Sequence, residues 1–325
     1  MKFSLIICTY QRKEAIEQLL NSVTHQTLYP SEILVVDGSI DTETQTFIEA
    51  SSYKNLHYFL VEATNRGLTK QRNFGISKVA IDSEIVCFLD DDTILTPTYF
   101  QELLKTYRIK PDALAVGGYI ANEVKWSNAV IKNGYCIDGY CRKESVRFQL
   151  RKKLGLIDNT PPGFMPTYSH GRSIGHLPPS NKVYPVEFFM GGVASYKKEV
   201  VDKIQFSTYF EGYGLYEDLD FCLRVAKLGN LYVNTAAQLA HDHHEAGRPN
   251  KYKYGKMVVR NGWYVWRVKY PKPTLKAKLL FHLNVIVLLK LRFINSITGS
   301  HKKEAFTEAL GRLVGWFSLF LNKPK

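Results

Sequence analysis

The 325-residue chain has few cysteines and no long apolar run. Residues 279–289 form a run of eleven without a charged side chain, whereas a membrane-spanning helix needs roughly 17–25 apolar residues. Polar side chains follow the strand-like residues 3–8 at once, so we expect no signal peptide. The five cysteines are odd in number, and Cys8 and Cys87 fall within predicted buried strands. We therefore expect reduced thiols in a cytoplasmic protein rather than a disulfide framework.

Two common kinds of site lack their sequence signature. Four residues separate Cys136 from Cys141, but no second Cys/His pair stands at zinc spacing, so we predict no zinc site. The Gly-x4-Gly-Lys-Ser/Thr loop that cradles phosphates is also absent. A nucleotide would have to be held by other means.

Acidic residues are scarce in the last quarter of the chain. Residues 1–247 hold 26 Lys/Arg and 28 Asp/Glu, a net of −2, and residues 248–325 hold 17 and 2, a net of +15; together these give the total of +13. This basic tail predicts an anionic partner surface, either membrane or nucleic acid. Residues 303–321 have the pattern of an amphipathic helix, which favours a membrane interface. Packing on the body, or on a second copy in a homo-oligomer, is the alternative.

Strand and helix patterns alternate in the first part of the chain. Strands are predicted at residues 3–8, 32–36, 57–61, 85–89 and 114–118. Helices are predicted at residues 14–23, 44–51, 68–79 and 98–107. The alternation predicts an α/β fold with a mostly parallel sheet covered by helices, and the pattern after residue 248 predicts a helical, basic C-terminal extension.

Three consecutive carboxylates, Asp90, Asp91 and Asp92, follow the predicted fourth strand. In open α/β sheets, ligands collect outside the carboxyl ends of the strands. Adjacent carboxylates repel one another, and a divalent cation carrying nucleotide phosphates would neutralise them. The alternative is a solvated acidic turn before Pro97.

Polar side chains also follow the first two strands and open a helix. They are Thr9, Tyr10, Arg12, Asp37 and Arg72. The Tyr10 ring can stack on a base, and Asp37 can accept a hydrogen bond from a base N–H. Arg72 can face a diphosphate or hold Asp37 and Asp90 in place. Together these residues predict a nucleotide site at one edge of the sheet.

These motifs resemble the family 2 glycosyltransferases of bacterial surface-polysaccharide synthesis, which have the Rossmann-like GT-A fold. The resemblance rests on Thr-Tyr-Gln-Arg at 9–12, Val-Val-Asp-Gly-Ser at 35–39, Gln-Arg-Asn-Phe-Gly-Ile at 71–76, Leu-Asp-Asp-Asp at 89–92, Met-Gly-Gly at 190–192 and Tyr-Glu-Asp-Leu-Asp at 216–220. It covers about residues 1–245 and implies a nucleotide-sugar-binding half at residues 1–118 and an acceptor-binding and catalytic half at 119–247. The charge and amphipathic pattern of residues 248–325 separately predict a membrane-associating region. Within 119–187 the resemblance is weak, and a structural insertion is the alternative to an acceptor region.

The resemblance implies roles for the acidic residues. Asp90 and Asp92 would bind Mn²⁺ or Mg²⁺ bridging the donor diphosphate, and Asp91 would contact the donor, facing ribose, or else face water. Asp218 would be the general base, and its neighbour Glu217 or Asp220 would raise its pKa toward the working pH. A role for Asp218 as a helix N-cap is the alternative.

A histidine would complete the metal shell in the same comparison. His241 lies 23 residues after Asp218, and Mn²⁺ accepts an imidazole ligand. His243 is the close competitor, and a solvated polar loop is the alternative to both.

The chain also departs from the family pattern. Gly38 occupies the place where many members have a second Asp, which affects contacts to base and ribose. The Gln-x-x-Arg-Trp motif and the spanning helices of processive synthases are absent. Addition of a single sugar is therefore favoured.

The resulting expectation is an inverting, metal-dependent glycosyltransferase, hexosyl or related. It would act on a lipid-linked saccharide or surface polysaccharide as a peripheral protein on the inner face of the cell membrane. A sugar-1-phosphate nucleotidyltransferase would need a Gly-rich loop after the first strand, and residues 8–13 contain no Gly. A non-catalytic nucleotide- or nucleic-acid-binding protein could use the aromatic and basic residues of the tail. Because residues 279–289 are apolar, membrane is favoured over nucleic acid.

Overall fold

The computed structural model describes residues 1–168, 171–210, 212–242 and 250–324. The chain divides into two compact units. Unit one comprises residues 1–126, 137–140 and 174–247, and unit two comprises residues 127–136, 141–173 and 248–325.

Strands and helices alternate in the first part of the chain, as predicted, and long helices close it. The strands are β1 (Phe3–Thr9), β2 (Glu32–Asp37), β3 (Leu56–Leu60), β4 (Ile85–Asp90), β5 (Thr93–Leu95), β6 (Ala113–Ile120), β7 (Gly134–Ile137), β8 (Tyr140–Lys143), β9 (Val183–Val186), β10 (Val193–Lys197) and β11 (Asn230–His241). The helices are α1 (Lys13–Thr24), α2 (Glu43–Glu49), α3 (Leu68–Ile76), α4 (Tyr99–Ile109), α5 (Val146–Lys153), α6 (Lys198–Val201), α7 (Glu217–Val225), α8 (Lys251–Lys269), α9 (Leu275–Thr298) and α10 (Lys302–Leu321).

Unit one is built on a nine-stranded sheet in the order β3-β2-β1-β4-β10-β6-β11-β5, with β9 paired to β11. Strands β1–β4, β6 and β11 run in one direction, whereas β5, β9 and β10 run in the other. The predicted α/β architecture with a mostly parallel sheet is confirmed. Reversal of β10 between β4 and β6 makes the sheet mixed, which the sequence pattern did not predict.

The central strands are buried on both faces. Every residue of β2 is buried, which explains its continuous apolar sequence. Ile33 and Val35 belong to one core cluster, and Leu34 and Val36 belong to the other. Successive side chains of a strand point to opposite faces, so helices cover both faces of this sheet.

The expectation of fully reduced cysteines is wrong for one pair. Cys136 on β7 and Cys141 on β8 form a disulfide, with Cα atoms 4.1 Å apart. Asp138 and Gly139 both have positive φ, as a two-residue hairpin turn requires, and this turn brings the two cysteines together. Cys8 carries a free thiol, and burial raises its pKa to about 12, so it stays protonated.

Unit two contains the long helices α8, α9 and α10. The apolar run at residues 279–289 lies within α9. In the described part of the chain, no helix combines the length and the apolar character needed to cross a membrane. The prediction that this run is too short to span is therefore confirmed for the described residues.

Glycines allow α8 and α10 to pack in close backbone contact. A Cβ atom at Gly311 would overlap the carbonyl oxygen of Tyr252, whereas one at Gly315 would lie 3.0 Å from the carbonyl oxygen of Lys256. Replacing glycine by alanine stabilises a helix by about 1 kcal/mol, and overpacking costs about 1–3 kcal/mol.

We expect Gly311→Ala to lower the free energy of unfolding by about 2 kcal/mol or more, because two backbones would have to separate. Gly315→Ala is the matched control and should change it by less than about 1 kcal/mol, since its smaller overlap is offset by the gain in helix propensity. Urea unfolding followed by circular dichroism measures both. Equal stability of the two variants would show that α8 and α10 do not pack this closely.

Candidate active site

The polar side chains predicted to lie together share one edge of the sheet. Strand β1 pairs with β2 so that Thr9 faces Asp37, and it pairs with β4 so that Cys8 faces Asp90. Strands β6 and β11 run in the same direction as β4. The carboxyl ends of all these strands therefore meet at one edge.

The three aspartates after β4 have different surroundings. Asp91 is buried, and it accepts hydrogen bonds from Thr9 Oγ1 at 2.7 Å and from Arg12 at 2.9 Å. Burial raises the pKa of Asp91 to about 6, and Arg12 opposes that rise. Asp92 lies 3.3 Å from Arg12, whereas the Asp90 side chain is 39% exposed. The burial of Asp91 and Asp92 does not fit the alternative of a solvated turn. It also does not fit the alternative in which Asp91 faces water, and a contact of Asp91 with the donor stays a prediction.

Asp90, Asp92 and His241 form a group that could bind a metal ion. One ligand atom from each residue lies within 4.8 Å of the other two. His241 is the last residue of β11, and its Nε2 lies 3.0 Å from Asp92. Two carboxylates and an imidazole are a donor set that fits Mn²⁺ and, through the carboxylates, Mg²⁺. The competing residue, His243, lies outside the described residues.

Glu123 holds His241 from the other side of the ring. Its Oε1 lies 3.1 Å from His241 Nδ1. A carboxylate in this position selects the tautomer whose Nε2 lone pair can face a metal ion. Glu123 was not predicted from the sequence. Its position just after β6, whose carboxyl end lies at the same edge of the sheet, is the signal that could have identified it.

We expect Glu123→Ala to weaken Mn²⁺ binding by about 10–100-fold, because His241 loses the group that orients its ring. Glu123→Gln is the matched control: its amide oxygen can still accept the Nδ1–H bond, so about tenfold or less should be lost. Calorimetric titration of each variant with MnCl₂ gives the affinity. Unchanged affinity in Glu123→Ala would refute the orienting role.

Arg72 is buried between two carboxylates. Its guanidinium donates to Glu217 Oε1 and, at 3.3 Å, to Asp90 Oδ1. It thus contacts Asp90 as predicted. The expected contact of Arg72 with Asp37 is not made. Asp37 instead accepts hydrogen bonds from Ser39 and Tyr58.

The other predicted nucleotide contacts differ in exposure. Asp37 is fully buried, whereas the Tyr10 side chain is 40% exposed. A ring exposed beside the strand ends is available for stacking. Base recognition by Asp37 and stacking by Tyr10 stay predictions.

Glu217 and Asp218 begin α7, beside the turn that enters β10. Glu217 is buried, and its Oε2 makes no hydrogen bond within the described ranges. Burial raises its pKa to about 8, and the charge of Arg72 opposes that rise. Asp218 is partly exposed, and it accepts hydrogen bonds from the Leu219 N–H at 2.7 Å and the Gly191 N–H at 3.2 Å.

Burial also raises the pKa of Asp218, as a general base requires. The N-cap alternative does not fit, because α7 begins at Glu217 and its N-cap is Tyr216. Asp218 is therefore a carboxylate held close to the edge of the sheet where the carboxyl ends of the parallel strands meet. Its role as the base stays a prediction.

Two glycines let the backbone approach these carboxylates. A Cβ at Gly191 would lie 2.6 Å from Arg72 and 2.8 Å from Glu217, and one at Gly192 would overlap Asp90. The backbone at residues 191–192 therefore passes close to Asp90, one of the three residues that could bind a metal ion, and to Arg72, which contacts Asp90.

Comparison with known proteins identifies the family. The sequence model of Glycosyl transferase family 2 matches residues 4–204. A glucosyl-dolichyl phosphate glucuronosyltransferase of Haloferax volcanii is 32% identical over 123 residues, which are 37% of this chain and 38% of that protein. The O-antigen chain rhamnosyltransferase RfbN of Salmonella typhimurium is 30% identical over 118 residues, 36% of this chain and 37% of that protein. The matched part thus spans less than two fifths of these curated relatives.

Solved structures agree on the fold. The crystal structure of S. aureus TarS 1-349 superposes with a TM-score of 0.55 at 17% identity, over 98% of this chain and 80% of that chain. TarS 1-349 in complex with UDP-GlcNAc superposes with a TM-score of 0.51 at 13% identity, over 99% of this chain and 93% of that chain. This likeness confirms the expected GT-A-type fold. Because the family match covers more than half of the chain, the protein belongs to glycosyl transferase family 2.

Proposed function

We propose that the protein is an inverting, metal-dependent glycosyltransferase. It moves a hexosyl or related sugar from a nucleoside-diphosphate donor to a hydroxyl of a lipid-linked saccharide or cell-surface polysaccharide. The observation that carries the proposal is that Asp90, Asp92 and His241 lie together. Asp218 is nearby at the start of α7, where it accepts a hydrogen bond from the turn that enters β10, the strand paired with β4. The names of the relatives support it, since TarS was solved with UDP-GlcNAc, and RfbN is an O-antigen chain rhamnosyltransferase.

Each group at the sheet edge has a part in this reaction. Asp90, Asp92 and His241 would hold a Mn²⁺ or Mg²⁺ ion, which would supply Lewis-acid stabilisation of the leaving diphosphate. Asp218 takes the proton from the acceptor hydroxyl. The hydroxyl oxygen then attacks the anomeric carbon from the face opposite the diphosphate, so the configuration inverts. Arg72 keeps Asp90 and the start of α7 in place.

The remaining predicted contacts serve the donor. Tyr10 stacks on the base, and Asp37 accepts a hydrogen bond from it. Thr9, Arg12 and Asp91 hold one another next to the diphosphate position. We assign residues 1–118 to donor binding and residues 119–247 to acceptor binding and catalysis.

Calorimetry with UDP, GDP, dTDP and CDP, with and without Mn²⁺, tests the proposal. We expect one nucleotide to bind only with the metal, and Asp90→Ala/Asp92→Ala to weaken that binding more than about 100-fold. Asp82→Ala, which removes an exposed carboxylate paired with Lys2, is the control and should bind as the wild type does. Failure of all four nucleotides to bind in the presence of Mn²⁺ would overturn the proposal.

We assign residues 248–325 to an anionic membrane surface at the inner face of the cell membrane, and we expect no nucleic-acid partner. The net charge of +15 in this segment supports the assignment. Binding to anionic vesicles should fall steeply as salt is raised. Binding to neutral and anionic vesicles with equal affinity would contradict it.

A further inference from the structure

Unit two has an open cavity of about 640 Å³ at the end of α8 and the end of α10. Its walls combine aromatic rings and cations. Trp263, Tyr264 and Phe320 supply the rings, and Arg267 and Lys323 supply the cations. The Arg267 guanidinium lies 5.7 Å from the centre of the Trp263 ring, and the Lys323 ammonium lies 5.9 Å from it.

The positive charge of this cavity is not neutralised by its walls. Among the described residues that line it, none is acidic. The acidic residues at 250–324 are Glu304 and Glu308, and each pairs with cations elsewhere, Glu304 with Lys251 and Glu308 with Arg292 and Arg312. Two cations within 6 Å of one ring, with no carboxylate among the described wall residues, favour an anionic ligand.

Arg267 retains capacity to bind such a ligand. One terminal nitrogen donates to the Pro271 carbonyl, which uses one of the N–H donors of the guanidinium. A guanidinium offers five N–H donors in a planar fork that suits phosphate. The chemistry at the base of the cavity is therefore that of a phosphate site.

The mouth of the cavity is apolar. Phe320 and Leu321, which line it, are 57% and 90% exposed, and Phe317 one turn earlier is 54% exposed. Exposed apolar side chains clustered beside cations suit a ligand that carries both a phosphate and a hydrocarbon chain. A free phosphate or a nucleic acid would leave the aliphatic Leu321 uncovered.

We propose that this cavity binds the phosphate headgroup of an anionic lipid, with the lipid chain against Phe320 and Leu321. This is a specific site, beyond the general attraction of a basic segment to an anionic surface. It does not depend on which sugar or acceptor the protein uses. The Trp263 ring, which lies within 6 Å of both cations, also stacks on His282 with the ring centres 5.5 Å apart.

The test uses vesicles of phosphatidylcholine with about one fifth phosphatidic acid and a pair of charge-matched variants. Arg267→Gln/Lys323→Gln removes the two cations of the cavity. Lys302→Gln/Lys303→Gln removes the same charge from exposed positions at the start of α10, about 30 Å away along the helix. Urea unfolding of both variants verifies that they are equally folded, and the single variants Arg267→Gln and Lys303→Gln replace the pair if the cavity variant is not.

We expect the cavity variant to bind at least about tenfold more weakly than the control variant, because it loses hydrogen bonds to phosphate in addition to charge. Short-chain phosphatidic acid below its micelle concentration should compete with the vesicles for the wild type, and inorganic phosphate at the same concentration should not. Equal loss in the two variants would overturn the proposal in favour of general electrostatics. Equal competition by inorganic phosphate, or stronger competition by a single-stranded oligonucleotide, would overturn it in favour of those ligands.

Discussion

Replacing Asp218 by Asn should lower kcat for sugar transfer by about 10²–10⁴-fold while donor binding stays nearly unchanged. The amide keeps the shape of the side chain, and its oxygen can still accept one of the hydrogen bonds that the Leu219 and Gly191 N–H groups donate. It cannot take a proton from an acceptor hydroxyl. The loss should therefore appear in kcat and spare the metal-dependent affinity for the nucleoside diphosphate.

The pH dependence of the wild-type rate is a second, independent test of Asp218 as the general base. A general base works only when it is deprotonated, so the rate should rise with pH through the pKa of Asp218 and then level off. Burial raises that pKa above the ordinary value of 3.8. The acidic limb of kcat/KM should lie at correspondingly higher pH than for a solvated aspartate, and it should vanish in Asp218→Asn.

Two outcomes would contradict this assignment. Undiminished transfer by Asp218→Asn would remove Asp218 as the base. An acidic limb centred near pH 8 would point instead to Glu217, whose pKa burial raises to about 8. Glu217→Gln distinguishes the two carboxylates, since a limb that belongs to Asp218 survives this change.

Those parts of the site that follow continuous apolar strands could be predicted from the sequence. Strands β1, β2 and β4 are short buried runs that end in polar residues, and their parallel pairing alone places Thr9, Asp37 and Asp90 at one edge. The start of α1, which follows β1 at this edge, was predicted within one residue, because apolar side chains recur there at helical spacing.

Two side-chain pairs of the site could not be predicted, because the members of each pair come from distant parts of the chain. Glu123 meets His241 across 118 positions, and Arg72 meets Glu217 across 145. Strand β11 has a shift in register between Val233 and Gln238. This irregularity interrupts the alternation by which a strand is recognised, so the element that delivers His241 was not predicted.

Replacing Arg72 by Met should lower the free energy of unfolding by about 3–5 kcal/mol above about pH 8, where Glu217 is ionised in the wild type and is left buried without its cation. The double variant Arg72→Met/Glu217→Gln should recover most of this loss, since the side chain at position 217 is then neutral. Arg66→Met is the matched control: within the described residues, the guanidinium of Arg66 makes one long hydrogen bond, of 3.5 Å, to the Ser39 carbonyl, so less than about 1 kcal/mol should be lost. Urea unfolding followed by circular dichroism gives all the values.

The effect of Arg72→Met should depend on pH in a definite direction. The folded-state pKa of Glu217 is raised to about 8 from an ordinary 4.5, so the stability linked to its proton is complete below about pH 4.5 and is lost as pH rises through 8. Removal of Arg72 takes away the charge that lowers this pKa, which makes ionisation of Glu217 still more costly. The difference in stability between wild type and Arg72→Met should therefore grow from acidic toward alkaline pH, and this growth should disappear in the Glu217→Gln background. A difference that is constant with pH would mean that Arg72 stabilises the site through packing against Phe88 and Phe206 and not through its charge.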